Sequence, residues 1–164
     1  MLFNIGVLAG DTSLRNENGS WRIKGDPTEG ALVVIAAKAG IKPEELIENA
    51  PRIGEIPFSS ETKRMTTVHK TEQGKIAYSK GAAEVILGSC RYILINGSQV
   101  ALDDKQREEI VAKGQAMASE ALRVLGAAYK PLAHDTPVDS NIEKDMVTRY
   151  QYFTLCVIKA TVTR

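Results

Sequence analysis

Apolar and polar positions along the 164-residue chain change period several times, and each change marks an element. Leu2 to Ala9 is apolar with no clear period, fitting either a strand or the end of a helix. Asp11 to Ser20 is polar and rich in turn formers, which predicts a loop, and Trp21-Arg22-Ile23-Lys24 alternates as a short strand. Leu32, Val33, Ala36 and Ala39 then recur at helical spacing. The stretch before them, Gly25-Asp26-Pro27-Thr28-Glu29, is a helix start: Asp26 suits the N-cap, Pro27 the first turn, and Glu29 the third position of a capping box. Gly40 stands where the helix should stop. A second helix follows Lys42-Pro43, runs through Leu46 and Ile47, and ends before Pro51.

From Arg52 the pattern turns to strands. Arg52 to Phe58 is one. Met65 to Lys70 is another, with Thr67 and His69 on one face and Val68 on the other; the turn Glu72-Gln73-Gly74 leads back through Ile76 to Ser79 as a hairpin. Ala82 to Leu87 makes a short helix closed by Gly88. Tyr92 to Ile95 is a strand, followed by the type I′ turn signal Asn96-Gly97. Asp103 caps a long helix striped with Gln106, Ile110, Met117 and Ala118. Ala121 to Tyr129 is expected to be a buried strand with Arg123 as its one cation; Pro131 to Asn141 a loop; Asn141 to Arg149 a helix; and Tyr150 to Val162 is rich in β-formers. The fold class is α+β: a mainly antiparallel β-sheet flanked by helical hairpins, with the helices on one side. Residues 1–164 read as a single domain, of which 131–164 form an atypical C-terminal segment.

Charge narrows the function. Twenty-one basic and 20 acidic side chains leave a net charge of +1. That lacks the basic excess of a nucleic-acid or acidic-membrane binder. The longest apolar run, Phe153 to Val162, is broken by Lys159 and is too short to span a bilayer, and Met1 to Gly10 lacks the basic start of a cleavable signal. Cys90 and Cys156 form no redox or metal spacing, which fits a reducing compartment with burial as the reason for each. His69 and His134 have no partners at metal or catalytic-triad spacing, so no catalytic and no metal residue is assigned.

Candidate chemistry gathers in two stretches. Phe58-Ser59-Ser60-Glu61-Thr62-Lys63-Arg64-Met65 places an aromatic ring near two cations, and Ser79-Lys80-Gly81-Ala82 puts a lysine before a glycine. A ring can stack on a base and an ammonium can meet phosphate oxygens. Each stretch alone has a plain alternative, Phe58 as core and Lys63-Arg64 as solvated charge. Glu29 is open between closing its capping box and accepting from a base amino group. Arg123, in an apolar strand, requires an anion. Neither of the common glycine-rich phosphate cradles is present.

Gly25-Asp26-Pro27-Thr28-Glu29, Phe58-Ser59-Ser60 with Lys63-Arg64-Met65, Ser79-Lys80-Gly81-Ala82 and Leu122-Arg123-Val124-Leu125 occur in that order. Together they resemble the nucleotide-binding domain of cation-transporting P-type ATPases, over roughly residues 2 to 130, and Ile5 to Leu14 resembles the family's approach to its first strand. The resemblance implies ATP as ligand, Mg-ATP in the parent pump. It implies that Phe58 stacks on adenine, Glu29 contacts its amino group, and Lys63 and Lys80 line the ribose-phosphate side. Gly81 allows close approach, Arg123 reaches the phosphates, Leu125 packs near the base, and Ser60 and Met65 complete the set. Ser60 stands where calcium-pump relatives carry an arginine; Arg64 is the candidate substitute. The family's Asp-Lys-Thr-Gly-Thr and Thr-Gly-Glu motifs are absent from this stretch. The chain is therefore expected to be one monomeric cytosolic domain of an integral membrane protein. Its partners would be the phosphorylation, actuator and transmembrane domains of the same parent chain, and it would not turn over ATP alone. No His-Pro pair marks the heavy-metal branch, which leaves a calcium-pump-like branch. A stand-alone nucleotide-sensing or regulatory domain, and a non-binding scaffold, are the competing readings.

Overall fold

A computed structural model of the chain describes residues 1–18, 20–149 and 155–158, with Arg149 and the last four through their backbone only. In chain order the elements are α1 (Leu2–Leu8), β1 (Ser13–Glu17), β2 (Ser20–Lys24), α2 (Pro27–Lys38), α3 (Pro43–Asn49), β3 (Arg52–Ile56), β4 (Arg64–Thr71) and β5 (Gly74–Ala82). They continue with α4 (Ala83–Ser89), β6 (Cys90–Ile95), β7 (Ser98–Ala101), α5 (Asp104–Ser119), β8 (Arg123–Leu132), a 3₁₀ turn at Ser140–Glu143, β9 (Met146–Arg149) and β10 (Leu155–Ile158). The class is α+β with a mainly antiparallel sheet, as the pattern predicts.

The main sheet runs β3-β4-β5-β8-β9-β6-β7, with β10 paired to the first half of β8; β6 and β9 are its parallel pair. Its central strands β5 and β8 are apolar on both faces, so both faces must be covered. Ile5, Leu8 and Ala9 at α1 and Leu46 of α3 pack with Tyr78 and Ala127 on one face. Ile86 and Leu87 of α4 and Ile110 of α5 pack with Ala77 and Ala128 on the other. Helices thus lie on two sides of the sheet rather than the one expected. The alternation Tyr78/Ala77 and Ala127/Ala128 is the physical reason.

Polar strands are what the apolar pattern conceals. Residues 13–17 form β1 and pair with β2 in a hairpin, where a loop was expected; Glu17 faces Ser20, with Asn18 at φ 54° in the turn. Ser13–Glu17 lies largely outside the core, so its ladder is made by backbone bonds and leaves no period-two signature. Likewise residues 141–149 are not a helix. Ser140–Glu143 makes a 3₁₀ turn, Asp145 turns the chain at φ 53°, and Met146–Arg149 enters the sheet beside β6 and β8. Buried Ile142 and Met146 anchor this segment. The ambiguous first run resolves as a helix.

Punctuation of the two longest helices follows the sequence closely. Asp26 Oδ1 accepts from the amides of Thr28 and Glu29, and Asp103 with Gln106 forms a full capping box. α2 ends with Gly40 at φ 80°, its amide donating to Ala37 O and that of Ile41 to Ala36 O. The same two-bond ending closes α5, from Ala121 to Ala118 O and from Leu122 to Met117 O. There, however, the left-handed residue is Ala121, at φ 58°. A Cβ in that conformation costs about 1 kcal/mol. Ala121→Gly should therefore raise the unfolding free energy by about 0.5–1 kcal/mol in urea melts. A loss of stability would contradict this ending for α5.

Candidate functional site

One row of the sheet carries the chemistry. Met65 of β4 lies opposite Lys80 of β5, which lies opposite Ala127 of β8, all facing α1. Lys80 is only 7% exposed. Its Nζ lies 2.9 Å from Glu29 Oε1, in the first turn of α2. The contact is close but makes no well-aligned hydrogen bond, and the ammonium has no other partner among the described residues. Burial pushes the Lys80 pKa below its ordinary value; Glu29, and behind it Asp11 and Asp26, pull it back up.

Glu29 does not close the capping box. Asp26 alone caps α2, and its carboxyl is held below its ordinary pKa, chiefly by the Glu29 amide, against desolvation, with further help from Thr28 and the charge of Arg123. The Glu29 carboxylate turns inward instead. Oε2 accepts from the Asp11 amide at 3.1 Å and from Thr12 Oγ1 at 3.0 Å. Gly10 roofs the pair: a Cβ there would collide with Lys80 Nζ and come within 2.8 Å of Glu29 Oε2. Sequence reading missed Gly10, Asp11 and Thr12 because they open a polar stretch that resembles any loop. Buried Thr12 is invisible without the fold.

The other predicted residues are placed unevenly. Met65 is buried beside Lys80. Leu125, half-buried, sits opposite Ala82 in the next row on the same face. Phe58 projects from the loop between β3 and β4 and is 63% exposed. That loop is a closed turn: Lys63 N donates to Ser59 O at 2.8 Å and Thr62 N to Ser59 Oγ at 3.0 Å. Lys63, exposed and at φ 50°, then accepts from Ala82 N through its carbonyl, which ties the loop to the Lys80 end of β5. Ser60 is exposed on this loop.

Three expectations change. Arg123 is exposed at the start of β8 rather than buried, because β5 pairs with β8 only from Leu125 onward; its nearby anion is Asp26. Gly81 alternates to the opposite face from Lys80. The space its missing side chain leaves is filled by the backbone of Lys63 and Arg64, so its first service is to strand crossing. Arg64 is no substitute at Ser60: its guanidinium turns to the far face, donating to Ser89 Oγ and pairing with Glu143 at 2.7 Å.

His69 is buried, its Nδ1 facing Ala50 O and its Nε2 Thr67 Oγ1; desolvation holds its pKa down. Burial pushes the Cys90 thiol up to about 12. Cys156 lies on β10, whose side chains fall outside the described set, and His134 is exposed in a loop. No group of three His, Cys, Asp or Glu side chains among the described residues could hold a metal.

Glu29→Gln leaves a buried ammonium without its anion and should destabilise the domain by about 3 kcal/mol near neutral pH. Lys80 titrates lower when folded than its ordinary 10.5, and lower still without Glu29. The unfolded chain therefore binds more protons in that window, and stability rises with pH. Urea melts should show the deficit of Glu29→Gln against the parent narrowing as pH climbs toward 10.5. A deficit independent of pH would contradict the pairing.

The profile of the family described as "P-type ATPase, cytoplasmic domain N" matches residues 1–157. The calcium-transporting ATPase 1 of Lactococcus lactis is 34% identical over 148 residues, 90% of this chain and 16% of that protein. The cation-transporting ATPase pma1 of Synechocystis is 37% identical over 145 residues, 87% of this chain and 16% of the relative. The calcium-transporting ATPase of Bacillus subtilis is 34% identical over 143 residues, with 86% and 16% covered. The chain thus spans about a sixth of the length of these relatives. With a matched profile over almost all of its length and the sheet, helices and motifs described above, the chain belongs to the cytoplasmic N-domain family of P-type ATPases.

Proposed function

We propose that the chain is the ATP-binding domain of a P-type cation pump, holding ATP so that its γ-phosphate reaches a catalytic aspartate elsewhere in the parent chain. The observation that carries this reading is the Lys80 ammonium. It is buried, short of aligned hydrogen bonds, and set in a face with apolar Met65 and Leu125. Such a group is held ready for an anion. The names of the relatives supply the transport part, with calcium as the first candidate ion.

In this reading binding exchanges one set of partners for another. Phosphate or ribose oxygens take Lys80 from Glu29, and the freed carboxylate accepts from the adenine amino group. Phe58 closes on the base from its exposed loop, Met65 and Leu125 pack against it, and Lys63 and Arg123 add positive charge at the rim. Ser60, exposed beside Phe58, leaves room for the base. In-line transfer needs a nucleophile and Mg²⁺ charge stabilisation from outside this set of residues. The part of the residues named here is to bind and orient the nucleotide. The phosphorylation, actuator and transmembrane domains are the partners this assigns.

Base stacking contributes about 1–3 kcal/mol, so Phe58→Ala should weaken ATP roughly 5- to 100-fold in calorimetry while the fold persists. ATP and ADP should bind comparably and AMP more weakly. GTP should be disfavoured, because its O6 presents an acceptor to Glu29. Unchanged affinity in Phe58→Ala, or no preference for ATP over GTP, contradicts the reading.

A further inference from the structure

We infer that Arg52 is a positioning residue for the nucleotide site: its guanidinium fixes the Gly10–Thr12 loop that orients Glu29 and roofs Lys80. The inference rests on the nucleotide-binding reading for what the site holds, and on geometry for how it is held. Arg52 opens β3 with its side chain 28% exposed. Nη1 donates to Asp11 Oδ1 and to Glu55 Oε2, both at 2.7 Å. Nη2 donates to Gly10 O at 2.5 Å and lies 3.4 Å from Leu8 O. One planar fork therefore gathers the end of α1, the glycine over the ion pair, and the loop carboxylate, across more than forty residues of sequence.

Asp11 links the two ends of this arrangement. Its side chain is tied to Arg52, and its amide is aimed at Glu29 Oε2. Freed from Arg52, the loop would lose the register that points the Asp11 amide and Thr12 hydroxyl at Glu29. Water would then reach Lys80. A lysine at position 52 supplies the charge but not the planar fork, so it cannot hold Asp11 and the Gly10 carbonyl together. Thr67 Oγ1 also donates to Leu8 O, at 3.2 Å, which anchors α1 to the sheet independently and lets the fold survive loss of the fork.

The test follows the Lys80 side-chain resonance through a pH titration in lysine-labelled protein, alongside ATP calorimetry. Three charged groups bear on Lys80: Glu29 and Asp26 at α2, and Asp11 on the loop. In Arg52→Met the Lys80 midpoint should rise toward its ordinary value as hydration returns. ATP affinity should fall about tenfold, the lower end of what an outer partner of a binding group is worth. Arg52→Lys should behave like Arg52→Met, which separates the fork from the charge. Asp11→Asn, at a side chain 71% exposed, also removes a charge that raises the Lys80 pKa, so it should weaken ATP by less than Arg52→Met and raise the Lys80 midpoint less or not at all. A parent-like Lys80 titration in folded Arg52→Met, or parent-like behaviour of Arg52→Lys, overturns the inference. If the parent domain binds no ATP, the functional reading fails while the Lys80 titration still decides the role of Arg52.

Discussion

An ammonium on a central strand, covered by a helix, can stay charged only beside an anion that the fold delivers to it. Lys80 is that ammonium, and much of this face is arranged to meet its requirement. Asp26 caps α2 and so fixes the first turn from which Glu29 reaches inward. Gly10 carries no side chain because Lys80 and Glu29 occupy its space. The Asp11 amide and Thr12 hydroxyl satisfy the remaining Glu29 oxygen, and Arg52 holds the loop that brings them.

The same ladder carries a second ion pair on its other face. Arg64, opposite Gly81, pairs with Glu143, which is 3% exposed and also accepts from Thr66 Oγ1 at 2.6 Å. This pair ties the chain after β8 to β4, with Nη1 and Nη2 of Arg64 engaged and its Nε buried without a hydrogen-bond partner. The Lys80 pair differs in that its ammonium lacks aligned hydrogen bonds. Of two pairs one strand residue apart in register with β5, Arg64 is held by both Ser89 and Glu143, while Lys80 has Glu29 alone among the described residues. That difference is why the nucleotide site is proposed on the α1 and α2 side of the sheet.

Much of this was legible in the sequence, where local chemistry decides local structure. Asp26-Pro27, Gly40, Asn96-Gly97 and Asp103 with Gln106 announced their caps and turns, and the alternation in β4 and β5 announced the hairpin. The four motifs announced the family; that Lys80 and Glu29 meet was not among what the resemblance implied and comes from the fold. Illegible were features that arise only from long-range packing. β1 is polar, so no period marks it. Residues 141–149 are anchored by contacts of Ile142 and Met146 that no local pattern contains. Arg64 and Arg123 both looked like pocket cations, but strand alternation sent one to the far face and left the other exposed at a strand start. Arg52 and the Gly10–Thr12 loop carry ordinary surface residue types, and only the fold brings them over the pair.

A cation pump needs its nucleotide domain to grip the base and leave the terminal phosphate free. In the proposed reading that division falls to apolar Met65 and Leu125, the exposed Phe58 ring at the rim and the Lys80 ammonium on the same face. The most direct measurement is of intermolecular nuclear Overhauser contacts between ATP and the labelled domain in solution. Contacts from the adenine H2 and H8 protons to the Phe58 ring, the Met65 methyl and the Leu125 methyls are the result expected. Contacts instead to the apolar cleft of about 410 Å³ on the far side of the sheet, lined by Ala83, Leu87, Val111 and Ala118, would contradict the account.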